Sequence, residues 1–83
     1  MKLQNAIKAC EKAGGINKGD DRFFSFAFPG SRCRVEFIRN GSEETAVCIG
    51  VRHESDHSDA MSDYCATIYT KTLKRAIAHA LGA

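Results

Sequence analysis

The chain has 83 residues, a length that accommodates one domain and excludes two. Hydrophobic residues make up 43% of it and charged residues 27%, so the chain has enough apolar material for a core and is not intrinsically disordered. The net charge of +2 permits nucleic-acid binding, but it is weaker than is common for dedicated nucleic-acid-binding domains.

No apolar run approaches the roughly 18–20 residues that a membrane-spanning helix needs. The N-terminal sequence MKLQN also lacks the apolar stretch of a signal peptide. We therefore expect a cytoplasmic protein that stays in the compartment in which it is made and has no membrane partner.

Residues 2–13 have the period of an amphipathic helix. Leu3, Ile7 and Cys10 recur at helical spacing, and Gly14-Gly15 ends the pattern because glycine tolerates the left-handed conformation that follows a helix. Residues 16–21 are then predicted to be a polar connection.

Four segments alternate between apolar and polar residues and are predicted to be strands: residues 22–28, 32–39, 45–52 and 64–69. In the first of them, Phe24, Phe26 and Phe28 share one face because side chains alternate along a strand. The inward-facing positions of the third are predicted to be Val47, Ile49 and Val51.

Two dipeptides indicate turns between these strands. Pro29-Gly30 is typical of a turn in which proline fixes φ and glycine accepts a positive φ. Asn40-Gly41 predicts a two-residue type I′ hairpin, since both residues tolerate positive φ. A long polar loop, residues 53–63, precedes the fourth strand.

Residues 71–81 close the chain as an amphipathic helix with Thr70 as its N-cap. The element order is thus α-β-β-β-β-α. Residues 1–83 are predicted to be a single α+β domain, with an antiparallel meander sheet and two helices packed on one of its faces.

The four cysteines are far apart, and no Cys-x-x-Cys pair is present. They are Cys10, Cys33, Cys48 and Cys65. Because zinc sites usually contain close ligand pairs, we expect free and mostly buried thiols, with a disulfide or a metal site as the less favoured alternatives.

The loop 53–63 contains His53 and His57 among acidic residues, and imidazole with carboxylate could hold a divalent metal. A solvated loop with turn-forming Asp and Ser residues is the favoured interpretation. Since no nucleophile motif or phosphate-binding glycine loop is present, we predict no catalytic residue, no metal site, no cofactor and no enzymatic activity.

A basic cluster at the start of the last helix, with arginines of the second strand, offers an alternative function in nucleic-acid binding. These residues are Lys71, Lys74, Arg75, Arg32 and Arg34. Phosphate binding needs such clusters, and the element order resembles that of the double-stranded RNA-binding domain. An ordinary solvated helix face is the favoured interpretation.

Three segments of the second half form a further pattern. They are Val51-Arg52-His53, the sequence SDAMSDYCA at residues 58–66, and KTLKRAI at residues 71–77. Across residues 47–78 the chain resembles a "large polyvalent protein-associated" domain of phages and conjugative elements. It departs from that pattern at Cys65, where an aromatic or small residue is more usual, and at Thr67, which replaces a frequent glycine.

This resemblance implies a small non-enzymatic binding protein of phage or mobile-element origin. Small proteins of that origin often inhibit a host defence complex, of the anti-CRISPR or anti-restriction type, by binding it. An acidic loop suits a basic protein surface. The predicted partner-binding residues are Glu54, Asp56, Asp59, Asp63 and Tyr64, and the expected partner is a host or phage protein.

Overall fold

The chain forms a five-stranded antiparallel sheet in which each strand pairs with the next one along the chain. One helix precedes the sheet in the sequence and another follows it. The computed structural model describes residues 1–54, 64–69 and 72–82. The elements are α1 Leu3–Lys12, β1 Ile16–Asn17, β2 Phe23–Ala27, β3 Cys33–Asn40, β4 Thr45–Glu54, β5 Tyr64–Tyr69 and α2 Leu73–Gly82. The predicted α+β class, the meander and the presence of the two helices are confirmed. The last helix begins later than predicted, at Leu73, where the Thr72 hydroxyl accepts a hydrogen bond from the Arg75 amide at 3.2 Å; the predicted N-cap, Thr70, lies outside the described residues.

One strand was missed. Residues 16–21, predicted to be a polar connection, begin with β1, which pairs with the end of β2 through Ile16 and Ala27. Two residues are too few to show an alternating pattern, so the sequence carries no signal for this strand.

One continuous core lies between the helices and the sheet. Phe24, Phe26 and Phe37 stack with ring centroids 5.1–6.4 Å apart on the inner face of β2 and β3. The helices cover them with residues at helical spacing, namely Leu3, Ala6 and Cys10 of α1 and Leu73, Ala76 and Ala80 of α2. Both helices therefore pack on the same face of the sheet, and the other face is called the open face below.

The Pro29-Gly30 turn is confirmed. Gly30 has a φ of 80°, and the Ser31 amide donates to the Phe28 carbonyl at 3.0 Å. The two-residue turn predicted at Asn40-Gly41 is wrong, because four residues, 41–44, connect the strands there. The residue with a positive φ is Glu44, at 50°, rather than Gly41.

A bulge in β4 overturns the prediction that Val47 faces inward. Glu36 pairs with Gly50 and Ile38 pairs with Val47, so β4 has one residue more than β3 between these pairs. Cys48 takes the positive φ of 54° that accommodates the extra residue. The alternation changes phase there, which turns Val47 to the open face and buries Ala46 instead.

Candidate functional site

The open face is organised into three rows that cross β2, β3 and β4. The rows are Phe23, Ile38 and Val47; then Ser25, Glu36 and Gly50; then Ala27, Arg34 and Arg52. Each row consists of residues paired directly by the strand register. Because directly paired side chains are neighbours, the residues of each row form a continuous strip across the open face.

The first row, called the apolar row below, is exposed. Phe23 is 39% accessible, Ile38 41% and Val47 37%. Isolated apolar side chains are normal on protein surfaces, but contiguous ones mark interaction sites more often. The apolar row is therefore a candidate for contact with another molecule.

The second row is a polar centre that is buried in spite of its position on the open face. Ser25 and Glu36 are 4% and 6% accessible. The Ser25 hydroxyl donates to Glu36 Oε2 at 2.9 Å, and Arg52 Nε donates to Glu36 Oε1 at 3.0 Å. Each carboxylate oxygen has a partner, as a buried charge requires. These contacts hold the middle of the open face rigid.

The third row contains two of the chain's arginines, Arg34 and Arg52, directly opposite each other on β3 and β4. Arg34 is one of the residues predicted to bind nucleic acid. Arg32 lies exposed in the turn before β3, whereas Lys74 and Arg75 lie exposed on α2, and Lys71 is outside the described residues. Since α2 packs on the inner face, the sheet separates its basic residues from Arg34, and they do not form one cluster.

Of the residues predicted to bind a protein partner, the structure describes Glu54 and Tyr64. Glu54 ends β4 and pairs with Tyr64, which begins β5. Asp56, Asp59 and Asp63 lie outside the described residues, as does His57. Partner binding by the acidic loop therefore stays a prediction.

A cleft of about 430 Å³ adjoins the apolar row. It is bounded by the N-terminus, by the bulge of β4 and by the start of α2. Its lining residues are Met1, Ala46, Val47, Cys48, Ile49, Thr72 and Leu73. The N-terminus is fixed there because the Ala46 amide donates to the Met1 carbonyl at 3.0 Å and the Leu3 amide donates to the Glu44 carbonyl at 2.8 Å. Val47 borders the cleft, but Thr72 and Leu73 place the cleft on the α2 side of the sheet, whereas the side chains of the apolar row lie on the open face.

A thiol–imidazole cluster of Cys33, His53 and His79 occupies the opposite end of the sheet, on the inner face. Cys33 and His53 are directly opposed on β3 and β4, with Sγ 3.2 Å from Nδ1. His79 of α2 approaches from above, and its Nε2 lies 3.2 Å from His53 Nε2. The sequence does not reveal that these residues are neighbours, because their proximity depends on strand register and on the position of α2.

The exposure of the three side chains increases from Cys33 to His79. Cys33 is 2% accessible, His53 is half-buried and His79 is exposed. Burial raises the pKa of the Cys33 thiol, which the Ser31 hydroxyl partly opposes. A buried, protonated thiol is a poor nucleophile towards a substrate. The same three groups are nevertheless among the side chains that bind transition metals.

Cys10 of α1 and Cys48 of the β4 bulge do not belong to this cluster. Cys10, Cys33 and Cys48 are free thiols. Burial raises the pKa of Cys10 to about 12. Cys48 is exposed because it belongs to the bulge, contrary to the expectation that it would be buried.

Comparison with protein-family models, with curated proteins and with solved structures found no match to this chain. Neither α1 nor α2, the helices of the described part of the chain, has the length and hydropathy that crossing a membrane requires.

Proposed function

We propose that this chain is a small non-enzymatic binding domain that holds a protein partner against its open face. The observation that carries this proposal is the apolar row, in which three exposed large side chains are register partners on three adjacent strands. The partner has apolar side chains at the centre of its own contact surface.

The exposed area of the apolar row is large enough to contribute to affinity when a partner covers it. Complete burial of such a side chain is worth about 1.5–3 kcal/mol, so covering the remaining two-fifths of each gives roughly 0.5–1 kcal/mol. Three such residues together supply about 1.5–3 kcal/mol.

The open face is also preorganised for binding. Ser25, Glu36 and Arg52 are hydrogen-bonded to one another beside the apolar row, so this part of the sheet is already ordered. A surface that is rigid before association loses less conformational entropy when it binds.

The finer proposal is that the partner belongs to a host defence complex and that the protein comes from a phage or mobile element. Its support is the resemblance of residues 47–78 to a domain of those elements. The predicted acidic loop, which includes Asp56 and Asp59, would then be a second contact, beyond the end of β4.

Nucleic-acid binding is less well supported than protein binding. Arg34 lies on the open face and Lys74 and Arg75 on the far side of the sheet, so a single phosphate backbone has no continuous basic track among them. We expect weak binding to duplex and single-stranded probes at physiological salt.

A paired affinity capture tests the proposal. The tagged chain and its Phe23→Ser/Ile38→Ser variant are immobilised and exposed to extract of the cells in which the protein occurs. The matched control is Leu81→Ser, because Leu81 is exposed by 54% but lies on α2, away from the open face. We expect a protein retained by the wild type and by the control but lost from the double variant, with circular dichroism showing that all three are folded.

Equal retention by all three chains would contradict the proposal. Retention that disappears after nuclease treatment would favour the nucleic-acid alternative instead.

A further inference from the structure

We propose that Cys33, His53 and His79 form a binding site for a zinc ion, with the fourth coordination position open to solvent. This site is separate from the open face, since the cluster lies on the inner face at the end of the sheet where β3 begins. It rests on the arrangement of three side chains that come from β3, β4 and α2.

The distances fit a shared ion. One donor atom from each of the three residues can be chosen so that all lie within 4.8 Å of one another. Tetrahedral zinc, with bonds of about 2.3 Å to sulfur and 2.0–2.1 Å to nitrogen, separates its ligands by roughly 3.3–3.6 Å. The separation of Cys33 Sγ from His53 Nδ1, 3.2 Å, is already close to that value. His79 now contacts the other ring nitrogen of His53, Nε2. Its exposed side chain therefore has to turn towards the Nδ1 side of that ring to become the third ligand.

The chemistry of the three donors selects the class of metal. One thiolate and two imidazoles bind zinc and related first-row ions well, whereas magnesium and calcium prefer oxygen ligands. Zinc sites with three protein ligands keep a fourth position for water or another ligand. Because His79 is exposed and Cys33 is buried, the fourth position here faces outward.

The surrounding contacts hold the ligands in place before metal binds. The Ser31 hydroxyl accepts a hydrogen bond from the Cys33 amide at 3.1 Å and donates one to the Ala80 carbonyl at 2.6 Å. It therefore connects the turn before β3 to the last turn of α2, next to His79. Such contacts orient metal ligands and reduce the rearrangement that binding requires.

A zinc ion here would link α2 to the sheet. Because an ion that binds only the folded chain stabilises that state, and does so more when it binds more tightly, zinc should raise the melting temperature. The rival explanation is that the cluster is a metal-free group of hydrogen-bonded side chains. In that case zinc would leave the melting temperature unchanged.

Cobalt and zinc titrations of the reduced, metal-free chain test the proposal. We expect cobalt(II) to give a thiolate charge-transfer band and the strong visible absorption of tetrahedral coordination, both displaced by zinc. Zinc should raise the melting temperature. His79→Gln, at an exposed position that leaves the core intact, should weaken zinc binding by about tenfold or more. The matched control is Cys48→Ser, which removes an exposed thiol outside the cluster and should bind as the wild type does.

Three results would overturn the proposal. One is the absence of a cobalt–thiolate band and of any thermal shift with zinc. Another is binding that persists unchanged in both His79→Gln and Cys33→Ser. The last is binding that is lost in His57→Gln but kept in His79→Gln, which would place the metal on the loop histidines.

Discussion

Val47 of β4 lies directly opposite Ile38 of β3, with both side chains exposed on the open face. This pairing exists because the bulge at Cys48 changes the phase of alternation within β4. Without the extra residue, Val47 would turn into the core and the apolar row would end at Ile38. The bulge therefore shapes the surface to which we assign partner binding.

The conformation of Cys48 gives a first prediction. Cys48 has a φ of 54°, which lies in the left-handed region. Placing a residue other than glycine in that region costs about 1–2 kcal/mol of conformational free energy. Cys48→Gly should raise the free energy of unfolding by about 0.5–1 kcal/mol, since relief of strain outweighs the extra entropy of glycine in the unfolded chain. Cys48→Val should lower it by about 1–2 kcal/mol. Urea unfolding measures both, and the opposite ranking would mean that the bulge does not need a positive φ at this residue.

Two glycines that both face open space offer a matched comparison. A Cβ added at Gly30 or at Gly41 would meet no atom within 4 Å, but only Gly30 of the two has a positive φ. Gly30→Ala should cost about 1–2 kcal/mol because of backbone strain. Gly41→Ala should stabilise by about 0.4–1 kcal/mol, because alanine restricts the unfolded chain. Thermal unfolding of the two variants checks this. A larger fall in melting temperature for Gly41→Ala than for Gly30→Ala would favour the two-residue hairpin turn that the sequence predicted.

The Asp20 carboxylate should account for part of the stability that the fold loses at acid pH. The amides of Phe23 and Arg22 donate to its Oδ1 at 2.7 and 2.8 Å and hold the pKa of this carboxyl below its usual value of 3.8. Its contribution to stability is therefore present above pH 3.8 and lost as the pH falls through the lower folded-state pKa. Asp20→Asn keeps an acceptor that does not titrate, so its stability should fall less on acidification than that of the wild type.

The control for this prediction is Asp20→Ala, which removes the acceptor and should be less stable than the wild type at neutral pH too. Urea unfolding at neutral pH and at about pH 3 separates the three chains. Parallel loss of stability in the wild type and in Asp20→Asn would show that other groups dominate acid unfolding.

The sequence predicts those parts of the fold in which a pattern extends over several residues. Phe24, Phe26 and Phe28 were predicted to be core and are buried, and the apolar stripe of α1 was predicted correctly from Leu3 and Cys10. The strand β1 and the bulge at Cys48 were not predicted, although the Pro29-Gly30 turn was. A two-residue strand has no period, and the bulge uses a cysteine where glycine would have given a signal.

The candidate site was less predictable than the fold, for a physical reason. The apolar row depends on which residues of β3 and β4 are opposite each other, and one inserted residue alters that for Val47. The proximity of Cys33, His53 and His79 requires, in addition, the position of α2 above the sheet. The local pattern of apolar and polar residues does not determine the strand register or the packing of a helix on the sheet.

Photo-crosslinking from the open face tests the central claim most directly. A photoreactive amino acid is placed at Ile38, in the middle of the apolar row, and in a second chain at Lys8, an exposed position of α1. Both chains are irradiated in the cells in which the protein occurs. We predict a discrete crosslink to another protein from position 38 and none from position 8. Crosslinks only from position 8, only to a second copy of this chain, or only to nucleic acid would contradict binding of a partner protein through the open face.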